Sequence, residues 1–265
     1  MSAHNDAIEE IQLGSLHLQA IVAGRGRPLL VLHDEMGYPG WMGWQSALAK
    51  SRELVIPLAP GFGRAPRIEW VASVRDLACV YARLVRARSL APVDVIGFSF
   101  GGWLAAEMLA NDPGLVRKLV LVAPLGIKPP EGVILDAFEF THRAQLEATV
   151  RDPAATPEFA ELYGGQPTPE QIEAFDDARA ESARLAWQPY LHNPSLPHLI
   201  EGLGAQVPTL IVRGDADRVV PQSAISAYQR ALGGAAEVVN LPQCGHRPEI
   251  EVRERFVGLV QSFLQ

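Results

Sequence analysis

Three short stretches of this chain hold residues whose types could act together. In "GFSFGG" a serine, Ser99, stands between Gly97 and Gly101, which fits G-x-S-x-G. "GDADRVVP" offers two acids, Asp215 and Asp217, and "CGHRPE" offers His246. A serine hydroxyl is a poor nucleophile near neutral pH until a base takes its proton, and the base needs a third group to orient it. Serine, acid and histidine in this chain order supply all three parts. The chemistry they imply is attack on an acyl carbon through a covalent intermediate.

A serine serves this way only if its hydroxyl stands clear of the backbone. A buried strand that turns at once into a helix pushes it above the sheet edge, in a strained backbone conformation. The positions two before and two after must be small, because strand and helix approach closely there. Gly97 and Gly101 occupy them, "VDVIGF" reads as the strand and "FGGWLAAEMLA" as the helix. The acid and the base must lie on loops at the same end of the sheet. Apolar runs precede both, in "TLIVRGDAD" and "AEVVNLPQCGH". Spacing alone leaves Asp215 and Asp217 both open.

The remaining elements follow from periodicity. Two period-2 segments, Ile8–Leu13 and Leu16–Val22, separated by "GS", predict a hairpin at one sheet edge. Continuous apolar runs in "RPLLVLHDEMG", "ELVIPLAPGFG", "VDVIGF", "VRKLVLVAP", "TLIVRGDAD" and "AEVVNLPQCGH" predict strands buried on both faces. Val71 to Val85 space their apolar residues helically. The alternation predicts right-handed crossovers and a mostly parallel sheet. From 128 to 200 the rhythm breaks and only helix-like stretches occur, one of them opened by the start signal "PTPEQ". The expected organisation is a core domain of residues 1–127 and 201–265 with a helical insertion at 128–200.

Composition excludes several classes. With 265 residues, 48% hydrophobic and 20% charged, the chain can bury a sizeable core as one large domain with an insertion. A net charge of -7 argues against nucleic acid as a partner, which needs a basic face. No apolar run approaches the roughly 18 residues of a membrane span. The polar start "MSAHNDAIEEIQLG" holds no secretory apolar stretch, so no membrane association and a cytoplasmic location are expected. The two cysteines, Cys79 and Cys244, could pair but form no disulfide framework. There is no H-x-x-x-H or C-x-x-C pair, and "GRGRP" lacks the G-x-G-x-x-G pattern, so neither metal nor dinucleotide is expected. Glu249, three after His246, makes a lone pair with no third ligand.

"HDEMG", "PGFG", "GFSFGG", "GDADRVVP" and "GHRPE", in this order and over essentially the whole chain, resemble the α/β-hydrolase family. The resemblance implies an eight-stranded, mostly parallel sheet flanked by helices, with Ser99 as nucleophile, His246 as base and Asp217, four residues before Pro221, as the acid. It assigns the oxyanion-binding amides to Phe100 and, in the loop after the first parallel strand, to Glu35. There the family's His-Gly pair is His33-Asp34, and the two carboxylates of Asp34 and Glu35 would oppose an oxyanion unless both point away. His33 reads as a hydrogen-bonding support of this loop.

In similar proteins the insertion forms a cap whose lining sets substrate choice. Phe98 and Trp103 beside the serine, His33, and Trp187, Tyr190 and His192 at the exit of the insertion are therefore candidate pocket residues. With no arginine pair in the recognisable site loops, a small, largely apolar ester or related acyl compound is the expected substrate. Carbon–carbon bond hydrolysis of a diketone-like compound uses the same three residues. A receptor that keeps them without turnover is the reading of a different class.

Overall fold

The computed structural model describes residues 8–136, 139–164, 167–187 and 189–265; the polar start "MSAHNDA" lies outside the described residues. β1 (Ile8–Leu13) and β2 (Leu16–Gly24) form the expected hairpin. Leu13 pairs with Leu16, so Gly14 and Ser15 make the turn, and Gly14 takes the φ of 68° that suits a residue without Cβ. β3 (Arg27–Leu32), β4 (Arg52–Leu58), β5 (Val93–Phe98), β6 (Val116–Val122), β7 (Thr209–Gly214) and β8 (Glu237–Leu241) run parallel. The sheet order is β1-β2-β4-β3-β5-β6-β7-β8, with β2 antiparallel to β4.

Helices separate the strands. α1 (Gly43–Leu48) follows β3, α2 (Val74–Ala87) follows β4, and α3 (Phe100–Asn111) follows β5. Among the described residues, α4 (His142–Thr149), α5 (Pro157–Tyr163), α6 (Pro169–Ala186) and α7 (Leu196–Leu199) lie between β6 and β7. α8 (Gln222–Ala231) joins β7 to β8, and α9 (Pro248–Glu251) and α10 (Arg253–Leu264) end the chain.

Side chains alternate across a strand, so each parallel strand feeds two cores. Leu30, Val95, Leu119 and Ile211 pack with α2, α3 and α8. Leu29, Ile96, Val120 and Leu210 pack with α1 and α10 on the other face. All six residues of β5 are buried, which is why its sequence is almost uniformly apolar. The helix starts are specified locally. The Ser73 hydroxyl accepts from the Asp76 amide at 3.1 Å to open α2. At α6, Thr168 and Gln171 form a reciprocal capping box, with Pro169 in the first turn.

Cys79 is exposed, Cys244 is buried and both are free, so the pairing that two cysteines allow is not made. Among the described residues, no helix is long and apolar enough to cross a membrane.

The strand ends opposite Ser99 are fastened by charge. Asp94, whose side chain is fully buried at the start of β5, accepts from Arg52 at 2.7 Å and Arg117 at 2.5 Å. Both guanidiniums also donate to the Leu264 carbonyl at the end of α10. Breaking a buried pair by deleting one partner costs about 3–5 kcal/mol. Asp94→Ala is therefore expected to lose about that much in urea denaturation; a loss below about 1 kcal/mol would show that the two arginines find other partners.

Candidate active site

Ser99 links β5 directly to α3, with φ 48° and ψ −109°. A serine in this region is strained by about 1–3 kcal/mol and persists only where its surroundings fix it. They do. Its amide donates to the Val122 carbonyl at 2.8 Å, and its carbonyl accepts from Gly102 at 3.0 Å and Leu125 at 3.1 Å. A Cβ on Gly97 would lie 2.2 Å from the Gly101 carbonyl oxygen, and one on Gly101 would lie 2.2 Å from that of Leu32. The glycines are required by close approach of backbones. The Ser99 hydroxyl oxygen is buried and has no hydrogen-bond partner.

His246 and Asp217 stand on the loops after β8 and β7, at the end of the sheet where β5 delivers Ser99. His246 Nδ1 donates to Asp217 Oδ2 at 3.0 Å; the carboxylate can only accept, so in the neutral ring Nε2 is left bare to take a proton. The other Asp217 oxygen accepts from the amides of Val219 at 2.8 Å and Val220 at 3.0 Å. Burial works against the Asp217 charge, but His246 and these amides outweigh it and hold the carboxyl below its ordinary range. Asp215 instead accepts from the Cys244 amide at 3.3 Å and ties the two loops together. For His246, burial disfavours the charged ring, yet Asp217, then Glu35 and Glu249, outweigh it and raise the pKa to about 9.

The loop after β3 is braced by His33. Its Nδ1 donates to the Asp34 carbonyl at 2.8 Å, and its Nε2 accepts from the Ala59 amide at 3.1 Å. This fixes a neutral tautomer, and burial lowers its pKa. The two acids of the loop behave differently. Asp34 turns away, accepting from the Met36 amide at 3.0 Å and facing Arg247 at 4.0 Å. The Glu35 carboxyl turns in, against its own main-chain amide and the Ser99 hydroxyl and within the field of His246. Phe100, as the first residue of α3, has an N–H without an intrahelical partner. Its ring packs between Phe62 and Trp103.

Beside the loops after β3 and β4 lies a cavity of about 900 Å³, whose lining does not include Ser99, Asp217 or His246. His33 lines it, with Met36, Phe62, Leu146, Leu162 and Phe175 supplying much of its apolar wall. The other five expected pocket residues do not line it. Phe98 points to the α1/α10 face, stacking with Trp44 and Phe256, and borders only a hollow of about 20 Å³. Trp103 points to the opposite face and donates to Glu107 at 3.1 Å. Trp187 is exposed and packs on Tyr190, whose hydroxyl donates to Asp136 at 2.8 Å. His192 bridges to Gly126, so this segment forms the seam that returns the insertion to the core.

Two arginines on the cavity wall were not anticipated. Arg64, from the loop after β4, and Arg143, from α4, both line the cavity. Arg247 was not anticipated either. It is buried, donating to Glu249 at 2.9 Å and to the Tyr163 hydroxyl of α5 at 2.6 Å. "HRPE" carries Arg247 and Glu249 in plain view, but nothing in it indicates a partner from the insertion. Among the described residues, no group of three or more His, Cys, Asp or Glu is placed to hold a metal ion.

The model of the Alpha/beta hydrolase family matches residues 19–259, and the chain belongs to that family. A hydrolase is the class of enzyme that the family and its curated relatives define. The chain is 29% identical to a 2-hydroxymuconate semialdehyde hydrolase of Pseudomonas sp. (strain CF600), over 91% of this chain and 88% of that protein. It is 27% identical to a pimeloyl-[acyl-carrier protein] methyl ester esterase of Neisseria meningitidis, over 78% of this chain and 80% of that one. A meta-cleavage product hydrolase from Pseudomonas fluorescens IP01 shares the fold, with a TM-score of 0.76 at 23% identity over 97% of each chain.

The histidine–aspartate pair has a sign that can be measured. A folded pKa of about 9 against an unfolded 6.5 means that protonated His246 adds stability below about pH 6.5, lost as pH rises toward 9. In Asp217→Asn the main support for the charge is gone and burial dominates. The fall in denaturation midpoint between pH 6.5 and 9 should therefore be smaller than in wild type; an identical fall would show that Asp217 does not hold the charge.

Proposed function

We propose that the chain is a cofactor-independent serine hydrolase acting on a small, largely apolar ester or related acyl substrate. One observation carries this: the Asp217–His246 pair stands at the sheet end where β5 turns into α3 at Ser99. Ser99 Oγ attacks the acyl carbon while His246 Nε2 takes its proton and Asp217 stabilises the imidazolium. The N–H groups of Phe100 and Glu35 hold the developing oxyanion. His246 then protonates the leaving group, and the bond between it and the acyl carbon breaks. A water that gives its proton to His246 attacks the acyl-serine and releases the acid. Residues 128–200 act as a cap, their helices closing the cavity with Leu146, Leu162 and Phe175.

A second reading, hydrolysis of a carbon–carbon bond beside a ketone, has its own support. Curated relatives in the 25–30% range are named 2-hydroxymuconate semialdehyde hydrolase and 2-hydroxy-6-oxo-2,4-heptadienoate hydrolase. Arg64 and Arg143 on the cavity wall would suit the carboxylate of such a compound.

Steady-state kinetics on p-nitrophenyl esters and on 1,5-diketone acids separate the readings by kcat/KM. On either substrate Ser99→Ala should lose at least about 10⁴-fold in kcat and Asp217→Asn about 10²–10⁴-fold. Turnover by Ser99→Ala within tenfold of wild type would remove the serine mechanism.

A further inference from the structure

The resting site holds a carboxyl that the serine mechanism does not use. Glu35 is the residue whose amide the serine mechanism assigns to the oxyanion, and its carboxyl lies close to that amide and to the Ser99 hydroxyl. One of its oxygens, Oε2, is buried and has no hydrogen-bond partner, as is true of Ser99 Oγ beside it. Its main chain is held from the insertion, where the Ser182 hydroxyl of α6 donates to the Glu35 carbonyl at 2.8 Å. Neighbouring Asp34 is excluded from the same place by its bonds to the Met36 amide and its approach to Arg247. A buried carboxyl thus lies beside the candidate nucleophile.

Its charge state decides what it does there. An ionised Glu35 would repel the oxyanion and would hold His246 protonated, unable to take the serine proton. A neutral Glu35 does neither, and its O–H is a donor. The charged and titratable groups around it are Asp34 on its own loop, His246 from the loop after β8, and Tyr190 from the seam, with Ser99 beneath. Asp217 and Glu249 act on His246, and Arg247 is taken up by Glu249 and Tyr163. Burial is the largest influence on Glu35 and raises its pKa, Asp34 adds to this, and His246 and Ser99 oppose it.

We propose that Glu35 is a further catalytic residue, a neutral carboxylic acid that hydrogen-bonds the substrate's carbonyl oxygen alongside the Phe100 amide. The proposal rests on the serine mechanism above. Glu35 and His246 share one proton in the active form, and it resides on Glu35. As Ser99 Oγ bonds to the acyl carbon, its proton passes to His246 and the carbonyl π pair moves to oxygen, which accepts from the Glu35 O–H. When the tetrahedral species collapses, the pair returns to the carbonyl, the leaving group departs with the His246 proton, and Glu35 keeps its own. A carboxylic acid kept neutral in a buried site to donate in this way has a precedent in ketosteroid isomerase.

The test is the pH profile of kcat for wild type, Glu35→Gln, Glu35→Ala and Ser99→Ala, each checked for folding by its melting temperature. Wild type should be bell-shaped, falling at high pH as the shared proton is lost. Glu35→Gln keeps a donor and cannot ionise, so it should stay within about threefold of wild type near neutrality, lose the alkaline limb, and keep its acid limb, because His246 then titrates beside a neutral residue 35 in both proteins. Glu35→Ala should lose at least about tenfold in kcat, since an oxyanion donor is worth about 10²–10³. Equal activity and profile in all three glutamate forms would make Glu35 a spectator. A gain on Glu35→Ala would make it an obstruction in the oxyanion site. Either result overturns the proposal. Turnover by Ser99→Ala would instead overturn the mechanism beneath it, which keeps the two failures apart.

Discussion

Between β5 and α3 there is no room for a methyl group, and the candidate site depends on that fact. Gly97, Gly101 and the Leu32 carbonyl are so close that the chain can pass from strand to helix only through a left-handed Ser99. The strain of about 1–3 kcal/mol is contained because Val122, the last residue of β6, and Leu125, just beyond it, grip both sides of the turn. The same tight turn presents the first amides of α3 and sets Ser99 beside the loop after β3. Parallel strands then bring the loops after β7 and β8 to the same edge, and with them Asp217 and His246. Asp94, at the far end of β5, fastens the opposite edge through Arg52 and Arg117.

Electrostatics organise the site in two directions. Toward the sheet, Asp217 is saturated by two amides and the imidazole, so its charge is fixed and the ring's orientation with it. Toward the insertion, Arg247 links the histidine loop to Tyr163 and, through Glu249, consumes a second buried carboxylate. The His246 amide also donates to the Thr149 carbonyl at 2.8 Å, so the end of α4 is bonded to the histidine loop. Glu35 stands between these two systems, within reach of both Ser99 and His246.

Much of this was legible in the sequence, for a physical reason. The parallel strands are written as apolar runs and the hairpin as alternation, so all eight strands and α2, α3 and α6 could be read locally, but β8, at the sheet edge, is buried only at Leu241 and not on both faces as expected. G-x-S-x-G states its own geometry, since only glycine fits there, and the order of serine, acid and histidine followed from the loops after known strands. What could not be read depends on long-range placement. Arg143 and Tyr163 reach the site from helices whose docking no local pattern encodes. Phe98 and Trp103 flank the serine in sequence, yet alternation on β5 and rotation on α3 carry both rings into the two cores. For Asp34 and Glu35 the backbone could be anticipated but not the directions of the two side chains, which part company within one residue.

Intact-mass spectrometry after incubation with a fluorophosphonate tests the central claim, that Ser99 is an activated nucleophile, without any choice of substrate. The account predicts one adduct per chain on the wild-type protein and none on Ser99→Ala. An unlabelled wild type that is folded by circular dichroism, or a label that persists in the alanine variant, would contradict it.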